Sequence, residues 1–403
     1  MLPPADVEGY RRALRGTGFR RLWTAAVVSR AGDVVNFVAL PLFVFAATGS
    51  PVAVSVLVLS EAVGLVAGGV GAQLVVDRLP PTRLLVGADV CRGAAALLLA
   101  LVPSFPLACV IAFVLAAATA VFNPVSNAMV PRLVDDELLP AANTLTWGAG
   151  VVPQIAAAAL GGLLVATVSA RAAFALNAAS FAVSAALLAG MPRLPAASVS
   201  VSAWRQLPEM ARALRDVPVL KPLLVVQALA ALSVGATSAL LVVLARSAYG
   251  LNATGYGLWL TVIGIGAVAG PLTIARRLRR TPWQTVSSAF VLRGGGDIAL
   301  GLLSQGLAGG ALLFVYALNT STGMIAFQTL VQRAVPSPVR ARAFAALDVV
   351  WQVARLASIA AGGAIAAAAG IRLVYVLGGA LLVAAGAVGW VTLGRAAHAP
   401  QRP

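Results

Sequence analysis

Read along the chain, apolar residues come in unbroken blocks of about 20, separated by short polar punctuation, and not in the three-or-four-residue stripe of a half-buried helix. Twelve blocks are long enough to cross a bilayer as helices: 22–47, 52–76, 84–102, 106–128, 144–167, 172–191, 219–245, 254–275, 283–304, 309–332, 344–369 and 373–394. The first and eleventh exceed one bilayer thickness, which predicts tilt or interfacial turns. Gly49-Ser50-Pro51 and Pro103-Ser104-Phe105 are too short for anything but antiparallel neighbours. The stretch from Met1 to Arg21 is polar and Arg-rich, and the apolar run after it is too long for a cleavable signal. The pattern predicts an all-α membrane protein of twelve spans.

The polar punctuation sets an orientation. With alternating sides, Arg11, Arg12, Arg15, Arg20, Arg21, Arg78, Arg83, Arg132, Arg193, Arg205, Arg212, Arg215 and Lys221 share one face of the membrane. So do Arg276, Arg277, Arg279, Arg280, Arg333, Arg340, Arg342, Arg395 and Arg402. Only Arg171, Arg246 and Arg372 fall opposite. Basic loops stay cytoplasmic, so both termini are expected in the cytoplasm of a plasma (inner) membrane protein, against an anionic inner leaflet.

Composition agrees and removes rivals. The 403 residues are 60% hydrophobic and 10% charged, with a mean hydropathy of +0.93, too little polarity to cover a soluble surface. A net charge of +16 would suggest nucleic acid in a soluble protein; here it is a topology signal, and no nucleic-acid partner is expected. Lys221 is the only lysine and follows Leu220, so no P-loop exists. His398, the lone histidine, lies in a polar tail, which excludes His-based catalysis and His metal sites. Cys91 and Cys109 sit in apolar runs and read as thiols. No cofactor, no metal and no enzyme activity are expected, and the loops are too short for a receptor with a soluble domain.

The chain also repeats itself. A displacement of 201 carries Val130-Pro131-Arg132-Leu133-Val134 onto Val331-Gln332-Arg333-Ala334-Val335, Gly161-Gly162 onto Gly362-Gly363, and Arg171 onto Arg372. Three domains follow: a six-helix half at 1–191, a cytoplasmic linker at 192–218, and a second six-helix half at 219–403. Trp204, Leu207, Ala211 and Leu214 give the linker an amphipathic helix, an interfacial spacer or a docking element. A parallel six-plus-six repeat is the arrangement of transporters that hold substrate at the repeat interface.

Several short motifs add a resemblance. They are Phe19-Arg20-Arg21-Leu22-Trp23, then Gly32-Asp33 with Ala39-Leu40-Pro41, then Asp77-Arg78 with Arg83, and Ala88-Asp89 with Arg92. Phe122-Asn123-Pro124, Glu137-Leu138-Leu139 and Ala142-Asn143 complete the first half. Gly255-Tyr256-Gly257, Gly264-Ile265-Gly266, Gln328-Thr329-Leu330, Pro336, Arg340 and Arg342-Ala343-Phe344 mark the second. In this order, from about Leu14 to Trp390, the chain resembles the major facilitator superfamily, in the branch with macrolide-efflux proteins and the enterobactin exporter. The resemblance implies a monomeric secondary transporter, exporting a small organic compound (drug, secondary metabolite or siderophore) against protons. An importer or uniporter of the same fold, or a non-transporting sensor or scaffold, is the alternative. Three features depart from the pattern: Gln73 stands where a glycine is usual, Ala157-Ala158 replace Gly-Pro, and span 4 has no arginine.

Charges inside spans are the candidate chemistry, because each costs roughly 2.5–3.5 kcal/mol near mid-span. Arg30, Arg92, Arg293 and Arg355 have acids on the same helix face: Asp33 at i+3, Asp89 at i−3, Asp297 at i+4 and Asp348 at i−7. The first three spacings permit direct pairs; two turns keep Asp348 from Arg355. Glu61 is the fifth acid, with no arginine on its own helix, and the charge count singles it out as a proton carrier with Asp33 as neighbour, or else as a partner of Arg30. Asp77, Arg78, Arg83, Asp89 and Arg92 form a cluster near the inner interface, which the resemblance makes a latch on the inner gate. Asp135, Asp136 and Glu137 read as N-capping ahead of span 5.

Overall fold

The computed structural model describes residues 7–75, 78–191, 220–273, 281–335 and 337–398. Asp77 and the linker at 192–218 lie outside the described residues. The described chain is helical with no strand: α1 (Val7–Arg15), α2 (Thr17–Thr48), α3 (Pro51–Val75), α4 (Pro81–Leu101), α5 (Phe105–Met129), α6 (Leu139–Thr167), α7 (Ala170–Ala189), α8 (Leu220–Ala239), α9 (Ala253–Thr273), α10 (Pro282–Leu302), α11 (Gly306–Ala334), α12 (Ser337–Ala369) and α13 (Ile371–His398). The first apolar block extends back to Thr17, and the eleventh back to Ser337.

Eleven helices among the described residues meet the length and hydropathy of a membrane span. The twelfth expected span is present as α10, but Arg293, Asp297 and the run Gly294-Gly295-Gly296 dilute its hydropathy. Its two charges are buried by the protein, so the helix can hide what its composition cannot.

Helix ends follow local chemistry. Gly49 ends α2 with φ of +62°, a left-handed conformation that costs a residue with a β-carbon about 1–2 kcal/mol. Its N–H closes on the Phe45 carbonyl at 2.8 Å. Asp135 precedes a 3₁₀ turn at Asp136–Leu138 with no side-chain cap bond, so the acidic run caps by position only. Glu137 instead faces Arg12 of α1 at 3.9 Å. Cys91 and Cys109 are free thiols.

Contacts divide the chain into two compact units. Unit 1 comprises Met1–Gly49, Val56–Val201 and Ala253–Thr261; unit 2 comprises Ser50–Ser55, Ser202–Asn252 and Val262–Pro403. In unit 1 the main pairings are α4 with α7, α2 with α7 and α6, and α4 with α5; unit 2 repeats them six helices later, as α10 with α13, α8 with α13 and α12, and α10 with α11. The cores repeat as well. Phe19, Leu22, Met129, Val130 and Ala142 of unit 1 stand 201 positions before Leu220, Leu223, Leu330, Val331 and Ala343 of unit 2.

Small residues permit this packing where helices have no apolar driving force between them. A β-carbon on Gly162 would lie 2.5 Å from the Ala253 carbonyl oxygen and 2.9 Å from Gly257 Cα, so α6 and the start of α9 touch backbone to backbone within unit 1. In unit 2, Gly363 of α12 lies as closely on Ser55. The Gly-Gly pairs of the repeat are therefore contact points.

Candidate functional site

In unit 1 the site is built around Arg92, midway along α4 and only 2% exposed. One turn earlier Asp89, fully buried, bonds its guanidinium directly. Asp33 Oδ2 of α2 lies 3.8 Å from Nη1. Nη1 also reaches Thr119 Oγ1 of α5 at 3.4 Å. The rings of Phe122 (α5) and Phe181 (α7) lie 4.4 and 4.5 Å from the guanidinium carbon. A ring at that range contributes about 0.5–2 kcal/mol to holding a desolvated cation. Thus α4 supplies the charge, α5 and α7 supply aromatic faces, and α2 brings a second carboxylate. That second acid differs in kind: the Asp33 side chain is 35% exposed while Asp89 is sealed.

Arg30 does not pair with Asp33, although the spacing permitted it. Its Nη2 donates to Asn123 Oδ1 of α5 at 3.3 Å, and no carboxylate lies within 4.0 Å among the described residues. The two neighbours on α2 are splayed, one towards α5 and the other towards α4.

Unit 2 holds a related arrangement. Arg293 of α10 is buried, its Nε 3.9 Å from Asp297 Oδ2 on the next turn. Nη2 reaches Ser238 Oγ at 3.5 Å, and the Tyr316 ring of α11 lies 4.9 Å away. The displacement of 201 carries Arg92-Gly93 onto Arg293-Gly294 and Thr119 onto Thr320. That match was available in the sequence and identifies the two arginines as equivalents. The aromatic partners were not legible, because a Phe or Tyr on another helix looks like any core residue.

The remaining candidates are dispersed. Arg78 and Arg83, the latter in the first turn of α4, are exposed, and among the described residues neither pairs with Asp89, which with Arg92 joins Asp33 instead. Asp348 is exposed and Arg355 half-buried on α12, with no ion pair to each other among the described residues. Glu61 is exposed on α3 and is engaged in an interaction, so it is not the carboxylate without a partner that the charge count suggested.

Exposure separates two kinds of surface in unit 1. Val63, Val66 and Val70 of α3, Val90, Leu97 and Leu101 of α4, and Leu176 and Val183 of α7 are exposed aliphatics suited to lipid. On α2, Arg30, Asp33 and Phe37 share one accessible face at 100° per residue, and on α5 the half-buried Asn123 and exposed Asn127 do the same. Helix α6 shows both kinds. Asn143, Trp147 and Gly150 share one side, and Val152, Leu160 and Leu163 are exposed on the opposite one.

Buried ion pairs and a polar stripe within apolar spans suit a helical membrane transporter. Comparison with known proteins agrees. The Major Facilitator Superfamily model matches residues 22–359, and the chain belongs to that family. It is 27% identical over 392 residues, 92% of each chain, to the uncharacterized MFS-type transporter YfiS of Bacillus subtilis strain 168. Its fold is similar to that of the nucleoside transporter NupG, at TM-score 0.75 and 13% identity, covering 93% of this chain and 98% of that one. It is also similar to a bacterial homologue of the iron transporter ferroportin, at TM-score 0.70 and 17% identity, covering 92% and 97%. The chain is a multi-pass membrane transporter of the major facilitator fold.

Proposed function

We propose that this transporter exports a small organic compound across the plasma membrane in exchange for protons, with Asp33 as the coupling carboxylate. The observation that carries the reading is the asymmetry around Arg92: one acid sealed and bonded directly, the other partly exposed and held at 3.8 Å. A carboxylate within a span needs a partner or a function. Asp33 has a loose partner and remains accessible, so it can exchange a proton while Asp89 keeps Arg92 neutralised. Protonation of Asp33 then competes with any donor or cationic group of the cargo, which is the requirement of antiport. Export, the branch with macrolide-efflux and enterobactin exporters, cytoplasmic termini, a monomeric state and an inner latch that includes Arg78 and Arg83 rest on the family resemblance and on the distribution of basic loops.

The test is Asp33→Asn in proteoliposomes loaded from a panel of amphipathic drugs and siderophores. Uphill movement driven by a pH gradient should fall by at least about tenfold, a barrier change of 1.4 kcal/mol, while exchange at equal concentrations continues. Uphill transport at the wild-type rate would end the reading, and accumulation in the direction of proton flow would replace export with import.

A further inference from the structure

We propose that the cargo is an amphipathic zwitterion, its acidic group held by Arg30 and Asn123 and its cationic group taking the place of the proton at Asp33. The inference deepens the antiport reading and rests on it for the role of Asp33.

Two opposite charges on one helix are spaced to meet and do not. Arg30 and Asp33 are one turn apart on α2, a spacing that allows an ion pair. Each turns elsewhere, and each remains accessible. Arg30 is exposed, with only a 3.3 Å bond to the Asn123 side-chain oxygen and no carboxylate within 4.0 Å among the described residues. Asp33 is 35% exposed, with its nearest cation, Arg92, at 3.8 Å, beyond hydrogen-bond distance. An exposed plus and a partly exposed minus about 5–6 Å apart at their β-carbons form the complement of a molecule that carries both.

The details around each charge favour the same class. Because Asn123 accepts through Oδ1, its Nδ2 presents two donors beside the guanidinium, so the pair offers an anion a wall of N–H groups. Among the described residues, the charged groups facing Asp33 are Arg30 on its own helix and Arg92 with Asp89 on α4. With Asp33 ionised these four sum to zero, and a zwitterion leaves that sum unchanged, whereas an anion or a cation alone leaves one charge uncompensated in an apolar surround. Phe37 continues the exposed face of α2 at 54% exposure, and Trp147 stands at 64% on the polar side of α6. Flat aromatic surfaces beside a charge pair suit an apolar or aromatic body.

Three probes with one aromatic body separate the possibilities: phenylalanine (zwitterion), hydrocinnamate (anion) and phenethylamine (cation). Binding is read as ligand-induced thermal stabilisation of the full-length protein in detergent near neutral pH. Wild type should bind phenylalanine at least about tenfold more tightly than either single-charge analogue. In Arg30→Gln, phenethylamine should become as good as phenylalanine; in Asp33→Asn, hydrocinnamate should. Asn123→Leu, which removes only the neutral donor, should weaken phenylalanine and hydrocinnamate alike and leave phenethylamine unchanged. The proposal is overturned if no probe stabilises wild type, if a single-charge analogue equals phenylalanine there, or if the variants leave the preference unchanged. The zwitterion preference with intact pH-driven flux in Asp33→Asn would remove the coupling role and keep the cargo class. Lost flux with no charge preference would do the reverse.

Discussion

Arg92 and Arg293 occupy the same place in a repeated unit and solve the same problem differently. Each buries a guanidinium inside a helix of the membrane domain and covers it with an aromatic ring from the next helix, Phe122 of α5 or Tyr316 of α11. The acids are placed differently. Asp89 precedes Arg92 by one turn and bonds it directly, with Asp33 added from α2; Asp297 follows Arg293 by one turn at 3.9 Å, with no second acid within 4.0 Å among the described residues. The first site therefore has a carboxylate to spare and the second does not. The repeat preserves the cation and its burial, while a partly exposed second acid stands on one side only.

The comparison can be broken at the cation. Arg92→Met leaves Asp89 buried without its partner and should destabilise the protein by about 3–5 kcal/mol, read as lower yield and melting temperature in detergent. Replacing the acid as well, Arg92→Met with Asp89→Leu, should restore most of that loss, since apolar residues replace a buried pair at little cost. Arg293→Met should cost less, about 1–3 kcal/mol, because Arg293 faces a single acid held at 3.9 Å and not bonded directly. Equal losses at the two arginines would mean that Asp33 contributes nothing to the first site.

A smaller effect separates the adjoining glycines, Gly93 and Gly294, which the displacement of 201 also pairs. A β-carbon on Gly294 would lie 2.6 Å from the Gly379 carbonyl oxygen, against backbone that cannot yield. On Gly93 it would meet only Phe181 Cβ at 3.4 Å and the Ala178 carbonyl oxygen at 3.6 Å, both ordinary contacts. Gly294→Ala should cost about 1–3 kcal/mol. Gly93→Ala should be neutral or stabilising by up to about 1 kcal/mol, through helix propensity. Thermal unfolding of the two variants side by side decides it.

These differences show how far the sequence could be read. Twelve apolar blocks sufficed for the helices because a membrane span must satisfy its own backbone within one continuous segment. Helix α10 falls short on hydropathy because it carries Arg293, Asp297 and three consecutive glycines, and the packing that hides its charges is something composition does not record. Same-helix spacing placed Asp89 beside Arg92 and Asp297 near Arg293, since those contacts are local. It failed for Arg30 and Asp33, where partners on α5 and α4 won over the neighbour one turn away. Glu61 is engaged in an interaction, which a charge count along single helices does not record.

The most direct measurement places Asp33→Asn beside Asp297→Asn. Everted membrane vesicles acidified by respiration respond to an antiporter's cargo by releasing protons, read as recovery of acridine orange fluorescence. With any compound that triggers release through the wild type, Asp33→Asn should abolish the response and Asp297→Asn, normalised to the amount of folded protein, should keep it. Proton release that survives in Asp33→Asn, or that disappears only in Asp297→Asn, would contradict the assignment of coupling to the first unit.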